Sequence, residues 1–176
     1  MNKIRKILRY IIYIIELCLL YSLEQTSIFW FGFKGIKPML IVIGFVCIAL
    51  FETEEVNVVI GFLTGLLVDF SFGGIFGINA AILGVMGAAL GVLFSRKLSV
   101  TALNALLISV IVSIIEMSLN LYLRPQLYGL VDVWHFWQTS FISYVLISAA
   151  VSVPIYFIIR TISYLTREKL DEYYKY

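Results

Sequence analysis

Apolar and polar positions fall in blocks along this chain. Six apolar runs cover residues 7–23, 36–51, 56–72, 77–94, 100–123 and 136–159, and most charges gather between them. The hydrocarbon core of a bilayer takes roughly 20 helical residues, within a range of about 17–25. The runs therefore predict six membrane-spanning helices. The second is the shortest and opens at Pro38, a favourable first-turn residue. The fifth is ended by Arg124-Pro125, and Pro154 lies close to the end of the sixth. The connections leave no room for a soluble domain, so residues 1–176 are read as one integral membrane domain.

Composition strengthens that reading. Apolar residues make up 61% of the chain and charged residues 14%, whereas soluble domains are about 45–50% apolar. The expected fold class is all-α: a polytopic membrane protein built as a six-transmembrane-helix bundle.

Charge placement predicts its orientation. With the N-terminus in the cytoplasm, the inner segments hold ten basic residues: Lys3, Arg5, Lys6, Arg9, Arg96, Lys97, Arg160, Arg167, Lys169 and Lys175. The outer segments hold only Lys34, Lys37 and Arg124. Lysine and arginine favour the cytoplasmic side, so the chain is expected to be a multi-pass protein of the cell membrane with both termini cytoplasmic. The acidic turn at residues 52–55 does not oppose this, because carboxylates contribute little to orientation. The basic, then apolar N-terminus resembles a signal peptide. No small-residue cleavage site follows, and Glu16 and Glu24 interrupt the run, so a retained first helix is expected.

The most informative stretch is residues 61–77. Gly61, Gly65, Asp69, Gly73 and Gly77 recur at every fourth position, which places helical residues on one face. Gly61 and Gly65 form a small-xxx-small ridge that lets another backbone approach in lipid. Asp69 is the one charge between residues 56 and 94. A lone carboxylate there must face protein or water. The following Gly-Gly pair breaks the helix. The expected geometry has Asp69 accepting hydrogen bonds from the free backbone N–H groups at the start of the fourth helix, around residues 77–80. The plainer alternative is a hairpin with a glycine turn and an aspartate near the headgroups, with no role beyond packing.

Two further stripes stand out. In the fourth helix Gly77, Ala81, Gly84, Ala88 and Gly91 recur at steps of four and three, widened by Ala80 and Gly87. Close packing inside the molecule is the natural use, and a surface for another membrane protein is the alternative. In the fifth helix Ala102, Ala105, Ser109, Ser113, Glu116 and Asn120 form a polar face, expected to point into the bundle. Glu116 and Asn120 are one turn apart, close enough to share a hydrogen bond. Glu16, Asp69 and Glu116 are three acids with no intramembrane lysine or arginine beside them. Structural hydrogen bonding between helices and a proton or cation path are the two readings of that set.

Other residues change little. Cys18 and Cys47 lie in apolar runs and behave as small hydrophobes. His135 is the single histidine, so no histidine–cysteine cluster with metal spacing exists. The aromatic segments at residues 29–33 and 128–137 are expected at headgroup depth. The mixed-charge tail at residues 167–176 is expected to be solvated and frayed. No nucleophile–base pair and no phosphate loop appear in the sequence, so catalysis, a cofactor, a metal and nucleic-acid binding are not expected.

The stretch Gly61-Phe-Leu-Thr-Gly65-Leu-Leu-Val-Asp69, with Gly73, Gly77-Ile-Asn-Ala and the Pro38 that follows an aromatic outer loop, resembles the central signature of the bacterial rod shape-determining protein MreD family. In specific residues the resemblance covers about 38–91. The family often has basic residues before its third helix where this chain has an acidic turn, and Phe72 and Gly74 flank Gly73 in place of more varied small residues or proline. The first departure bears on cytoplasmic contacts; neither disturbs the topology. The resemblance implies a non-enzymatic membrane scaffold of the elongasome, which directs lateral peptidoglycan synthesis. It also implies an MreC-like membrane partner and, through it, the MreB filament and the glycosyltransferase–transpeptidase pair. It further implies a bundle resembling the substrate-binding subunits of energy-coupling-factor vitamin transporters. Such a subunit is the alternative function. It would carry an Ala-xxx-Ala face on its first helix, where this chain has Tyr13, Leu17 and Tyr21 and no alanine.

Overall fold

The computed structural model describes residues 3–26, 39–72, 76–96, 100–123 and 133–166. Every regular element among them is a helix: α1 (Lys3–Gln25), α2 (Leu40–Ala49), α3 (Glu54–Phe72), α4 (Ile78–Arg96), α5 (Ala102–Leu123) and α6 (Val133–Thr166). The aromatic outer loop, Pro38, Gly73, the side chains of Asn120 and His135, and the tail all lie outside the described residues.

The bundle is organised around α2. Its ten residues are all apolar and all buried, as expected of a helix that is hydrophobic all round. The other five helices ring it. At about 1.5 Å per residue α2 rises only about 15 Å, half the hydrocarbon thickness. The run expected over residues 36–51 is described as helix only over Leu40–Ala49.

The sixth run is longer than its hydropathy suggests. The expected span of 136–159 extends to Val133–Thr166, with Pro154 inside the helix rather than near its end. Proline removes one intrahelical bond, yet the flanking residues Ile155, Tyr156 and Ile159 are buried in the core and hold the helix together across it. The third helix starts two residues early, with Glu54 and Glu55 in its first turn, where the helix dipole favours acid. Thr101 caps α5 by accepting from the Asn104 N–H at 3.3 Å.

Polarity runs inside out. Leu103, Leu107, Ile111 and Ile115 form an exposed stripe on α5, and Ile7, Ile11, Ile15 and Leu19 another on α1. Meanwhile Asn57, Thr64, Asp69, Asn79, Ser109 and Glu116 are buried. Water-soluble domains put such residues the other way round. Lipid solvates aliphatic faces and cannot satisfy polar ones. Two helical windows among the described residues, Ala102–Leu119 and Val145–Leu165, are long and apolar enough to cross a bilayer.

Candidate functional site

The site begins where α3 hands over to α4. The first N–H groups of a helix have no acceptor within it. Asp69, one turn before the end of α3, supplies one. Its Oδ2 accepts from the Gly77 N–H at 2.9 Å and the Ala80 N–H at 3.2 Å, and its Oδ1 from the Asn79 N–H at 3.3 Å. The carboxylate is 4% exposed and meets the positive end of the α4 dipole. Gly77 has φ +99°, a region that side-chain-bearing residues rarely enter. Nothing lies within 4 Å of where its Cβ would be, so its role is backbone conformation and not the close packing read from the sequence.

Below the cap, α3 and α4 close on each other through glycines. A Cβ on Gly61 would run into the Leu83 carbonyl, and one on Gly65 into the backbone of Asn79 and Ala80. Lower on the seam the glycines switch helix: a Cβ on Gly87 would strike the Asn57 backbone, and one on Gly91 would come within 2.6 Å of Glu54 Cα. Each glycine thus faces the partner's backbone, not another glycine. The small-residue stripe of α4 is also turned by one residue from the one read in the sequence. Ala80 and Gly87 are buried in the seam, while Ala81 and Ala88 are exposed. Gly84 has only ordinary contacts, at 3.8 Å or more, with Phe62.

The polar face of α5 points inward from Ala105 through Ser109 and Ser113 to Glu116, each at most 1% exposed. Ser148 and Ser152 of α6 are equally buried, and the Cys47 thiol of α2 donates to the Ser152 carbonyl at 3.8 Å. Glu16 is only partly buried, contrary to the fully buried acid expected, and one of its oxygens has no protein partner. Asp69 therefore belongs to the α3–α4 hairpin, whereas Glu116 lies on a separate polar stripe and Glu16 on α1.

Five contacts made by charged or amide side chains were not visible in the sequence. Arg9, 12% exposed, pairs with Glu52, 2% exposed, at 3.0 Å, and the Tyr13 hydroxyl donates to the same carboxylate at 3.2 Å. These tie α1 to the turn between α2 and α3. Asn57 donates to the Ala49 carbonyl at 3.0 Å and so closes the end of α2. At the other end of the bundle, Glu24 accepts from the Ile41 N–H at 3.3 Å, and the Gln25 amide donates to the Ser71 hydroxyl. Partners 8 to 46 residues apart leave no local pattern; the sole clue was that Arg9 lies at the start of an apolar run and Glu24 and Glu52 just past the ends of two.

The arrangement is one of holding. The Asp69 oxygens are committed to backbone donors, and the glycines bring two backbones together. The class it defines is a helical membrane protein whose signature residues shape a hairpin. The family model described as rod shape-determining protein MreD matches residues 4–165, and the chain belongs to that family. No curated protein and no solved structure matches it. The family is one of shape-determining structural membrane proteins, and nothing in the comparisons supports the transporter-subunit alternative.

Proposed function

We propose that this chain is a non-enzymatic scaffold of the elongasome. It supports rod shape and lateral peptidoglycan synthesis by binding an MreC-like membrane protein, and through it the MreB filament and the glycosyltransferase–transpeptidase pair. The observation that carries the reading is the family match over residues 4–165. The geometry fits it, because Asp69, Gly61 and Gly65 build a rigid hairpin. In the proposed topology six helices cross the membrane, both termini are cytoplasmic, and the bundle resembles the energy-coupling-factor subunits in arrangement. The Arg9–Glu52 pair supports that topology, since it puts the basic N-terminal turn and the α2–α3 turn at one end of the bundle.

The test is complementation. A strain lacking its own copy should regain rod shape when this chain is supplied, and the chain should co-purify with the MreC-like protein of the same bacterium. Round cells at normal membrane levels of the chain, without co-purification, would overturn the proposal. Reporter fusions after Tyr176 and within residues 125–132 should report cytoplasm and exterior respectively; a C-terminus outside would refute the six-span arrangement.

A further inference from the structure

A serine or threonine inside a helix commonly turns its hydroxyl back to a carbonyl one turn earlier. Thr64 donates to the Ile60 carbonyl at 2.8 Å, Ser118 to Ile114 at 2.6 Å, Ser152 to Ala149 at 2.9 Å and Thr161 to Phe157 at 2.8 Å. Ser109 and Ser113 of α5 and Ser148 of α6 behave differently. Their hydroxyls have no hydrogen-bond partner in the protein, although the three residues are 0%, 1% and 0% exposed.

The three share one place in the bundle. The Tyr156 hydroxyl donates to the Val100 carbonyl at 3.3 Å, so the start of α5 lies beside the later part of α6 and the two helices are antiparallel. The Cys47 thiol of α2 faces Ser109 but donates to the Ser152 carbonyl at 3.8 Å, which sets Ser109 level with Ser152. One turn onward along α5 and one turn back along α6 then bring Ser113 level with Ser148. The third wall is α2, whose ten residues are all apolar, and Cys47 is all that it offers this face.

Lipid cannot satisfy these hydroxyls, and a buried hydroxyl without a partner is costly. A group that fits them must both accept and donate, as they do. Water does both, and a buried water typically makes about three hydrogen bonds. A divalent cation would call for several carboxylates, and among the described residues no group of three acidic, histidine or cysteine side chains could hold one.

We propose that α5, α6 and α2 enclose an internal water site, in which bound water bridges the hydroxyls of Ser109, Ser113 and Ser148. It gives the α5–α6 pair a polar tie where the α3–α4 pair has glycine contacts. The inference stands apart from the scaffold reading, and neither a partner nor cell shape enters its test.

The test uses the purified full-length chain in detergent. Ser113→Ala and Ser148→Ala should each lower the melting temperature by about 2–4 °C. The double variant should lose less than the sum, because both changes release the same water. Ser118→Ala, which removes a hydroxyl bonded to its own helix, should change little. Neutral or raised melting in the Ser113 and Ser148 variants would overturn the site, since deleting a hydroxyl that holds nothing is neutral or stabilising; strictly additive losses would overturn the shared water. Replacing sodium chloride with choline chloride should leave melting unchanged. A sodium-dependent rise that Ser113→Ala abolishes would make the ligand a cation and overturn the proposal. A high-resolution structure of the unsubstituted chain decides even where a variant fails to fold. Water within hydrogen-bonding distance of at least two of the three hydroxyls is expected, and all three turned back to helix carbonyls, without water, would refute it.

Discussion

The α1–α2 and α3–α4 hairpins use one electrostatic device and two kinds of packing. In each, an acid near the end of the first helix reaches the N-terminus of the second: Glu24 to the Ile41 N–H, and Asp69 to three N–H groups of α4. The helices then meet differently. Gly61, Gly65, Gly87 and Gly91 let the backbones of α3 and α4 touch. In the first hairpin Gly44 faces side chains, the end of Leu20 closest and Leu17 at 3.7 Å, and these can rotate away. A backbone cannot. The second hairpin is therefore the rigid part of the molecule, and the first is held by side chains that can repack. The Gln25–Ser71 bond joins the two at one end and Arg9–Glu52 fastens the first at the other. Between these ties α1 stands off α3, which leaves a groove.

The sharpest way to break this contrast is at Asp69. Asp69→Leu removes the acceptor for three N–H groups at once. A hydrogen bond to a charged group contributes about 1.5–3 kcal/mol, and an abandoned buried donor costs about 1–3 kcal/mol, so the loss should reach several kcal/mol. Asp69→Asn keeps one acceptor oxygen and turns an amide NH₂ toward the remaining donor, so it should fall between the parent and Leu. Melting in detergent and rod-shape complementation at matched membrane levels measure both. Full rescue by Leu would show the cap to be dispensable. An Asn variant as inactive as Leu, yet folded and partner-bound, would show that the charge does more than cap.

Next comes Gly65→Leu. The new side chain would start inside the backbone of Asn79 and Ala80. Overpacking typically costs about 1–3 kcal/mol, and here the obstacle is main chain, which puts the expected loss at the upper end. The hairpin should lose thermal stability and partner co-purification together; unchanged values for both would contradict the seam.

These two positions were also the ones best legible in the sequence. A lone charge in a 39-residue apolar stretch has few ways to be satisfied, and a nearby helix start is the closest. Glycines four apart mark a face. The rest was hidden for physical reasons. The helical repeat brings two small-residue stripes onto α4, and periodicity alone could not choose the one through Ala80 and Gly87 over the one through Ala81 and Ala88. All-apolar α2 has no polar side to orient it, so its central place comes only from tertiary packing. Arg9 and Glu52 are 43 residues apart, and Glu52 read as no more than part of an acidic turn. Glu16, placed by the sequence among the buried acids, is only partly buried because α1 stands at the edge of the bundle.

A weaker perturbation separates the two caps. Glu24→Gln retains an acceptor for the Ile41 N–H and drops the charge. Glu24 holds one N–H of α2, at 3.3 Å, among the described contacts, where Asp69 holds three of α4, so the expected loss is about 0.5–1 kcal/mol, in the range of a single cap substitution. A loss equal to that of Asp69→Asn would mean that the hairpins depend on their caps alike and that the backbone seam adds little rigidity.

The smallest expected effect tests the register of α4. Gly84 and Gly87 are both buried glycines three residues apart. A methyl group on Gly87 would enter the Asn57 backbone, whereas one on Gly84 would meet Phe62 at 3.8 Å, an ordinary contact. Alanine also favours a helix over glycine by about 0.8–1 kcal/mol. Gly84→Ala should therefore be neutral or slightly stabilising, while Gly87→Ala should lose more through the clash than helix propensity returns. Paired melting curves of the two variants read the sign directly. If Gly84→Ala is the damaging one, the exposed Ala81–Ala88 stripe is the face that packs, and α4 is rotated relative to the arrangement described. If both are neutral, the backbones of α3 and α4 lie farther apart than the glycine contacts require, and the stiffness assigned to the second hairpin has to come from the Asp69 cap alone.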